Sequence, residues 1–136
     1  MSRKNVEVVR DLYQHWASGD LAFSDPLDAD VEFSRTAPEG TGVSGRWRGL
    51  KEVSAAFGEY VGAFSEFRVE ADRIIDLHDE RVLVLSRHTG RGKRSGVPTE
   101  HELGELITLH DGRIVRVDFY WDRAEAFEVA GLEGSA

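Results

Sequence analysis

The chain contains no cysteine among its 136 residues, which excludes disulfide bonds and thiolate metal sites. It also lacks an excess of positive charge, since 25 Asp and Glu residues outweigh 17 Lys and Arg residues and leave a formal net charge of −8. A nucleic-acid-binding protein needs a concentrated positive face to displace counterions, so we expect no nucleic-acid partner. The one basic stretch, Arg87 to Arg94, is interrupted by glycines and is typical of a solvated hairpin tip.

Long apolar runs are also missing. No segment approaches the roughly 20 apolar residues that a membrane-spanning helix requires, and the charged beginning of the chain does not resemble an export signal. We therefore expect a cytoplasmic protein without membrane contact. The glycine pairs at 40–42 and 90–92 do not link a strand to a helix, so no phosphate-binding loop, and hence no organic cofactor, is predicted.

The length and composition suit one domain that spans residues 1–136, because 40% hydrophobic and 31% charged residues are ordinary values for a globular protein. Apolar residues at spacings of three and four predict one helix from Asn5 to Trp16 and another from Leu50 to Phe64. Between them we predict a short helical segment from Leu21 to Leu27, a strand from Val31 to Arg35 and a loop from Thr36 to Gly49.

Four strands are predicted in the second half of the chain, and short turns join them as antiparallel neighbours. Their predicted bounds are Phe67–Leu77, Arg81–Arg91, Val97–His110 and Arg113–Trp121. Asp122 is placed to cap a final helix, which Ala124, Phe127 and Val129 would dock, and residues 133–136 would form a frayed tail. Helices followed by an antiparallel meander predict an α+β fold.

Alternation assigns the faces of the last strand, Arg113–Trp121. The face predicted to point toward the helices is wholly apolar and carries Val115, Val117, Phe119 and Trp121, whereas the opposite face carries Ile114, Arg116, Asp118 and Tyr120.

In the preceding strand, alternation places a carboxylate on an apolar face. In the strand Val97–His110, Glu105 shares its face with His101 and with the apolar residues Leu103 and Ile107. A buried carboxylate is costly unless it is partnered or protonated, and such perturbed groups are candidates for chemistry. The alternative interpretation is a structural acid bound to a helix residue such as Tyr13, or to a histidine.

The hairpin around the turn Gly92–Gly96 sets the register of the neighbouring strand. Residues whose numbers sum to about 189 would lie opposite each other, which pairs His88 with His101 and Ser86 with Leu103. A slip of one residue would instead turn Leu83, Leu85 and Arg87 inward. We prefer the first register. Under it the outer face also carries apolar side chains, which favours a homodimer through that face; they are Leu83, Leu85, Leu106 and Tyr120.

The two histidines and Glu105 do not predict a metal site. His101 and Glu105 are four residues apart on one strand, a rise of roughly 13 Å, which is too far for one ion. The aromatic residues have a different significance, because together they are sufficient to fill a core and to line an apolar cavity. The predicted ligand-binding residues are Tyr13, Trp16, Phe33, Phe57, Tyr60, Phe64, Leu103, Phe119 and Trp121.

Several short segments, in their order, resemble the SnoaL-like branch of the nuclear transport factor 2 superfamily. They are Asn5–Arg10 with Tyr13 and Trp16, Gly19–Leu21, Asp30–Phe33, Trp47–Gly49, Asp111–Arg116 and Tyr120–Ala126. The resemblance covers nearly the whole chain. It implies a curved, mostly antiparallel sheet that forms a cone with helices on its concave face, the cystatin-like architecture.

The superfamily includes ketosteroid isomerases, polyketide cyclases, limonene epoxide hydrolases, dehydratases and non-catalytic binding modules. Against the isomerase pattern, the general-base position is Phe33 and the first oxyanion position is Leu12, beside Tyr13. The second oxyanion donor corresponds to Glu105 and the pocket tryptophan to Trp121. The Asp-Arg-Asp arrangement of the epoxide hydrolases is absent from the sequence.

The cyclases use an acidic residue with a nearby histidine, for which Glu105 with His101 or His88 is the candidate set. The resemblance therefore implies a pocket for a small apolar or aromatic molecule, with cofactor-free acid-base chemistry such as isomerisation, cyclisation or dehydration. The alternative is a non-catalytic ligand-binding or dimerisation module.

Overall fold

A computed structural model describes residues 2–17, 27–36 and 45–132. Three helices and six strands follow one another in these segments. They are α1 (Ser2–Ala17), β1 (Leu27–Thr36), β2 (Gly45–Arg48), α2 (Leu50–Gly62), β3 (Phe64–Asp76), β4 (Arg81–Gly92), β5 (Pro98–His110), β6 (Arg113–Tyr120) and α3 (Arg123–Val129). The helices of the described segments are too short or too polar to cross a bilayer.

All six strands form one curved sheet with the order β2-β1-β6-β5-β4-β3. Every described neighbouring pair is antiparallel except β1 and β6, which run parallel with Phe33 opposite Val117 and Arg35 opposite Phe119. This pairing joins the strand nearest the start of the chain to the last one. It places β1 between β2 and β6, inside the sheet rather than at its edge.

Three sequence predictions in the first half of the chain need correction. The first strand begins at Leu27 rather than Val31, and the helix that was extended to Phe64 ends at Gly62, because Phe64 already pairs with Gly92 in the sheet. The predicted loop contains β2, whose four residues are too few to show a clear alternation. The rest of the predicted helix 21–27, the loop residues 37–44 and the tail 133–136 lie outside the described residues.

The predicted register of β4 and β5 is confirmed. His88 lies opposite His101, and Ser86 lies opposite Leu103. The inner face of β4 therefore carries Val82, Val84, Ser86 and His88.

The prediction for β6 is wrong at one end. Alternation placed Val115 inward and Ile114 outward, but Ile114 is fully buried in the main core while Val115 is half-buried. A register shift between the pairs at Thr108 and Leu109 inserts an extra residue in β6 and reverses the alternation there. Downstream of this bulge Val117 and Phe119 face inward as predicted.

The main core lies between the concave face of the sheet and helices α1 and α2. The stripe of α1 contributes Val9, Leu12, Tyr13 and Trp16, all at most 4% exposed, and α2 contributes Val53 and Phe57. Burial of their apolar surface stabilises the fold by roughly 25 cal/mol per Å², which is the main stabilising contribution to such a layer.

Helix α3 packs on the opposite, outer face of the sheet. Phe127 docks there with Ala126 and Ala130, whereas the other two predicted docking residues, Ala124 and Val129, are exposed. The predicted cap is present, since the Asp122 side chain accepts a hydrogen bond from the backbone N–H of Ala124.

Helix α3 also covers the apolar residues that were predicted on the outer face of the sheet. Leu83, Leu85 and Leu106 are each at most 5% exposed and belong to one cluster with α3. They are therefore covered within a single chain and do not require a second copy to cover them. The homodimer through this face stays a prediction.

Gly104 lets α3 approach the sheet closely, because a Cβ at this position would overlap the Cβ of Ala126. We expect Gly104→Ala to lower the free energy of unfolding by about 1–3 kcal/mol, the usual penalty for overpacking. Denaturant unfolding measures this loss. Adding Ala126→Gly should recover part of it, because the second change removes the overlapping methyl group.

Gly58→Ala is the matched control. Gly58 is exposed in α2 and has no atom within 4 Å of the added Cβ, so alanine should stabilise the helix by up to about 1 kcal/mol. Equal effects of the two alanine substitutions would contradict the close packing of α3.

Candidate functional site

A pocket opens between α2 and the inner face of β3, β4 and β5. It has a volume of about 270 Å³ and is lined mainly by aromatic and polar side chains. Three predicted ligand-binding residues, Tyr60, Phe64 and Trp121, are among them, together with His88 and His101. We call this space the outer pocket.

A smaller chamber lies deeper in the cone. Its volume is about 10 Å³, and its lining includes Tyr60, His88 and Trp121, which it shares with the outer pocket. The remaining lining residues are Arg35, Phe57, Leu103 and Phe119. This inner chamber has room for about one water-sized atom.

Three polar side chains form a row from the pocket wall into the core. The hydroxyl of Tyr60 lies 2.9 Å from Nδ1 of His88 in a hydrogen bond. On the other side of the ring, Nε2 of His88 lies 3.4 Å from Oε1 of Glu105. Because 3.4 Å exceeds the usual length of a charge-assisted hydrogen bond, this second contact is a close approach rather than an aligned bond.

Glu105 is completely buried, and neither of its carboxyl oxygens has a hydrogen-bond partner among the described residues. Burial raises the pKa of this carboxyl well above its ordinary value, because nothing compensates the charged form for its lost hydration. No hydrogen bond joins it to Tyr13, whose hydroxyl is also buried without one. Burial therefore favours the protonated, uncharged form of Glu105 over the carboxylate.

The pKa of His88 shifts in the opposite direction, downward. Burial lowers its pKa to about 3, and electrostatic interactions with His101 and Arg35 act in the same direction. The imidazole is therefore neutral at physiological pH, with one nitrogen protonated and the other free to accept. With Glu105 protonated, the form that burial favours, the two side chains form a neutral pair that holds a transferable proton.

His101 lies apart from this pair. Its ring stacks on Trp121 with centroids 3.7 Å apart, and its Nε2 lies 2.8 Å from the carbonyl oxygen of Trp121. Of the two histidines that we predicted as partners of Glu105, the structure brings His88 to the acid and leaves His101 at the pocket wall. The concave curvature of the sheet allows His88 to reach across four positions of the paired strand.

The other predicted ligand-binding residues divide into two groups. Phe57, Leu103 and Phe119 line the inner chamber. Tyr13, Trp16 and Phe33 line neither this chamber nor the outer pocket and belong to the main core, where the rings of Tyr13 and Trp16 lie 4.9 Å apart.

Arg35 is a site residue that we did not predict. Its guanidinium carbon lies 4.5 Å from the centroid of the Tyr60 ring and 5.8 Å from that of Trp47, both within cation–π range. The sequence contains a signal for it, because Arg35 continues the inward series Val31, Phe33 on β1. A charged residue on an apolar face marks the same kind of anomaly as Glu105.

Within the described segments, no group of three or more His, Asp or Glu side chains is arranged to hold a metal ion. The polar groups of the described site are the acid of Glu105, the imidazole of His88, the phenol of Tyr60 and the guanidinium of Arg35.

The site makes the stability of the protein depend on pH. Because the pKa of His88 is lowered to about 3 in the folded protein, its contribution to stability is present above the ordinary value of 6.5 and is lost as the pH falls toward 3. This loss amounts to roughly 2 kcal/mol between about pH 7.5 and pH 5. His88→Gln should remove it, and urea unfolding at the two pH values measures the difference.

Glu105 changes the stability with pH in the opposite direction. Its raised pKa gives a contribution that is present below about pH 4.5 and is lost as the pH rises through the folded value, so Glu105→Gln should gain stability relative to the wild type as the pH rises. His110→Asn, which changes an exposed histidine, is the control and should follow the wild-type curve. Unchanged pH dependence in His88→Gln would contradict a buried neutral imidazole.

Comparison with known proteins identifies the family. A family model described as the SnoaL-like domain matches residues 9–117. No curated protein matches the sequence. Among solved structures, a nuclear transport factor 2-like protein of unknown function from Burkholderia pseudomallei is 24% identical, with 93% of this chain and 97% of that chain covered and a TM-score of 0.71.

Two further structures contain small molecules. TerC, crystallised with polyporic acid, is 20% identical, with 94% of this chain and 98% of that chain covered and a TM-score of 0.70. A protein with a ketosteroid isomerase-like fold from Catenulispora acidiphila, in complex with trimethylamine, is 14% identical, with 93% of each chain covered and a TM-score of 0.67. At such identities the likeness concerns the fold. Because the family model spans most of the sequence, the chain belongs to the SnoaL-like domain family.

Proposed function

We propose that this protein binds a small apolar or aromatic molecule in the outer pocket and catalyses cofactor-free proton transfer on it through Tyr60, His88 and Glu105. The observation that carries the proposal is the contact between Glu105, fully buried without a hydrogen bond, and the neutral imidazole of His88. His88 in turn is hydrogen-bonded to Tyr60 at the pocket wall.

A purely structural role does not account well for this acid. A buried polar group that lacks a hydrogen bond costs about 1–3 kcal/mol, and an apolar residue of similar shape at position 105 would avoid that cost. Buried acids that serve structure are normally hydrogen-bonded or paired. An acid that is held protonated next to a neutral imidazole is suited instead to proton transfer near neutral pH.

The row of three side chains can deliver one proton to a ligand. When the 3.4 Å approach of Glu105 to Nε2 of His88 closes to a hydrogen bond in which the acid donates, and Nδ1–H donates to the Tyr60 oxygen, the phenolic hydrogen is available to a ligand oxygen in the pocket. Transfer of that hydrogen moves each proton one step along the row, so Tyr60 and His88 stay neutral and Glu105 becomes the carboxylate. Return of a proton from a ligand carbon by the same route restores the acid and completes an isomerisation.

The dimensions of the pocket suit such a ligand. A volume of about 270 Å³ accommodates a small ring system, and the rings of Tyr60, Phe64 and Trp121 provide an apolar wall for it. Structures of similar fold hold polyporic acid and trimethylamine, which supports a small organic molecule as the ligand here.

One observation favours a different function, a non-catalytic ligand-binding module. Glu105 lines neither the outer pocket nor the inner chamber, so it does not contact a ligand there directly. In a binding module the row of polar groups would only orient the ligand. The two functions differ in whether a proton is exchanged.

Deuterium exchange at the α-carbon of 2-tetralone in D₂O, followed by proton NMR, tests for this transfer without a known substrate. The wild type should accelerate the exchange, and Glu105→Gln should slow it by about 10²–10⁴-fold, because the amide cannot release the proton. Binding of 2-tetralone, followed through Trp fluorescence, should change little in this variant.

Glu102→Gln is the matched control, since Glu102 is exposed on the same strand and points to the opposite face. It should exchange 2-tetralone at the wild-type rate. Binding without accelerated exchange in the wild type would identify a binding module. Full exchange activity in Glu105→Gln would remove Glu105 from the mechanism.

A further inference from the structure

Arg35 brings a positive charge into the apolar cone, and no acidic side chain of the described residues pairs with it. Its side chain lies on the inner face of β1, opposite Phe119, and it lines the inner chamber. The structure records ring contacts with Tyr60 and Trp47 but no hydrogen bond or carboxylate within ion-pair distance among the described residues. Its five N–H donors therefore have no protein acceptor among the described residues.

The other arginines follow a different pattern. Those that are half-buried, Arg81, Arg87, Arg116 and Arg123, each pair with a carboxylate at 2.5–2.9 Å. Where no pairing is seen among the described arginine side chains, as at Arg68 and Arg73, the side chain is exposed to water. Arg35 alone among the described arginines combines partial burial with the lack of an anion, although the chain has 25 acidic residues to supply one.

The nearby acids leave this charge uncompensated. Glu105 lies against His88, no ion pair joins it to Arg35, and burial raises its pKa and so favours its uncharged form. Glu100 lines the outer pocket, but its exposed carboxylate lies 3.6 Å from Arg87. Burial also lowers the pKa of Arg35, which shows that the surroundings disfavour its charge in the absence of a negative partner.

We propose that the ligand is a planar aromatic anion, whose ring lies in the outer pocket and whose negatively charged oxygen group binds Arg35. This inference rests on the proposed function of the outer pocket as a ligand site and adds the charge of the ligand to it. Arg35 is then the residue that selects anionic over neutral aromatic molecules.

The volumes of the outer pocket and the inner chamber match the two parts of such a ligand, its ring and its charged oxygen group. The outer pocket, with about 270 Å³, accepts a ring, whereas the inner chamber, with about 10 Å³, accepts little more than an oxygen atom. Tyr60 and His88 lie at the junction, because both line both spaces. An oxygen that reaches Arg35 therefore passes the hydroxyl of Tyr60, which is the end of the proton-transfer row.

Binding of matched probes tests the proposal. We expect the wild type to bind 2-naphthoate at least about tenfold more tightly than 2-naphthamide, a neutral molecule of the same shape, in titration calorimetry. Arg35→Gln should weaken 2-naphthoate binding by about tenfold and leave 2-naphthamide binding unchanged. Arg35→Lys, which keeps the charge but loses the planar donor fork, should retain part of the preference.

Arg68→Gln is the control for net charge, because Arg68 is exposed outside the outer pocket. It should preserve the preference for 2-naphthoate. Thermal melting of each variant shows whether it is folded, and binding of 2-naphthamide shows that its pocket is intact.

The outcomes separate this inference from the proposed function. Equal affinity of the wild type for both probes, or a preference that survives in Arg35→Gln, would overturn the role of Arg35 while the pocket remains a ligand site. A preference that depends on Arg35, without exchange of 2-tetralone, would support the anionic ligand and refute the proton transfer. No binding of either probe would overturn both.

Discussion

The parallel pairing of β1 with β6 is the constraint on which the cone depends. Parallel strands need a long connection, and here the chain from β2 to β5 forms that connection and most of the domain. The pairing is supported by packing, since the rings of Phe33 and Phe119 lie 5.3 Å apart across it. It also places Arg35 beside Phe119 and above Tyr60, so the inner chamber exists only when the two strands meet.

The sheet supports two apolar layers with different roles. Its concave face forms the main core with α1 and α2 and leaves the polar row of Tyr60, His88 and Glu105 on one side. Its outer face is covered by α3, which is held at its start by hydrogen bonds from Arg123 to the carbonyl oxygen of Ser86 and to Asp72. Because both faces are covered, the curvature of β4 and β5, and with it the position of His88, is stabilised from both sides.

Desolvation determines the chemistry of the site. The same apolar surroundings favour the protonated form of Glu105 and keep His88 neutral, and they hold the charge of Arg35 without a counterion among the described residues. Each of these states lowers the stability of the folded protein relative to an apolar residue at that position. Sites that retain such groups commonly exchange stability for function. Arg35 and His88 line the inner chamber, and Glu105 lies against His88 behind it.

Much of this could be predicted from the sequence, because hydrophobic periodicity and turn residues act over short distances. Alternation along β5 placed Glu105 inward, and the turn at 92–96 set the register that pairs His88 with His101. These are properties of neighbouring residues. The family resemblance, carried by short segments in order, supplied the overall architecture that periodicity alone leaves open.

Only the tertiary structure decided the remaining features. The β1–β6 pairing, the bulge that turns Ile114 inward and the position of α3 on the outer face depend on packing between segments distant in sequence. The contact of His88 with Glu105 requires a curved sheet, since along a flat one the two would lie too far apart. A local pattern thus determined which way each side chain points, whereas the curvature of the sheet determined which inward-pointing side chains meet.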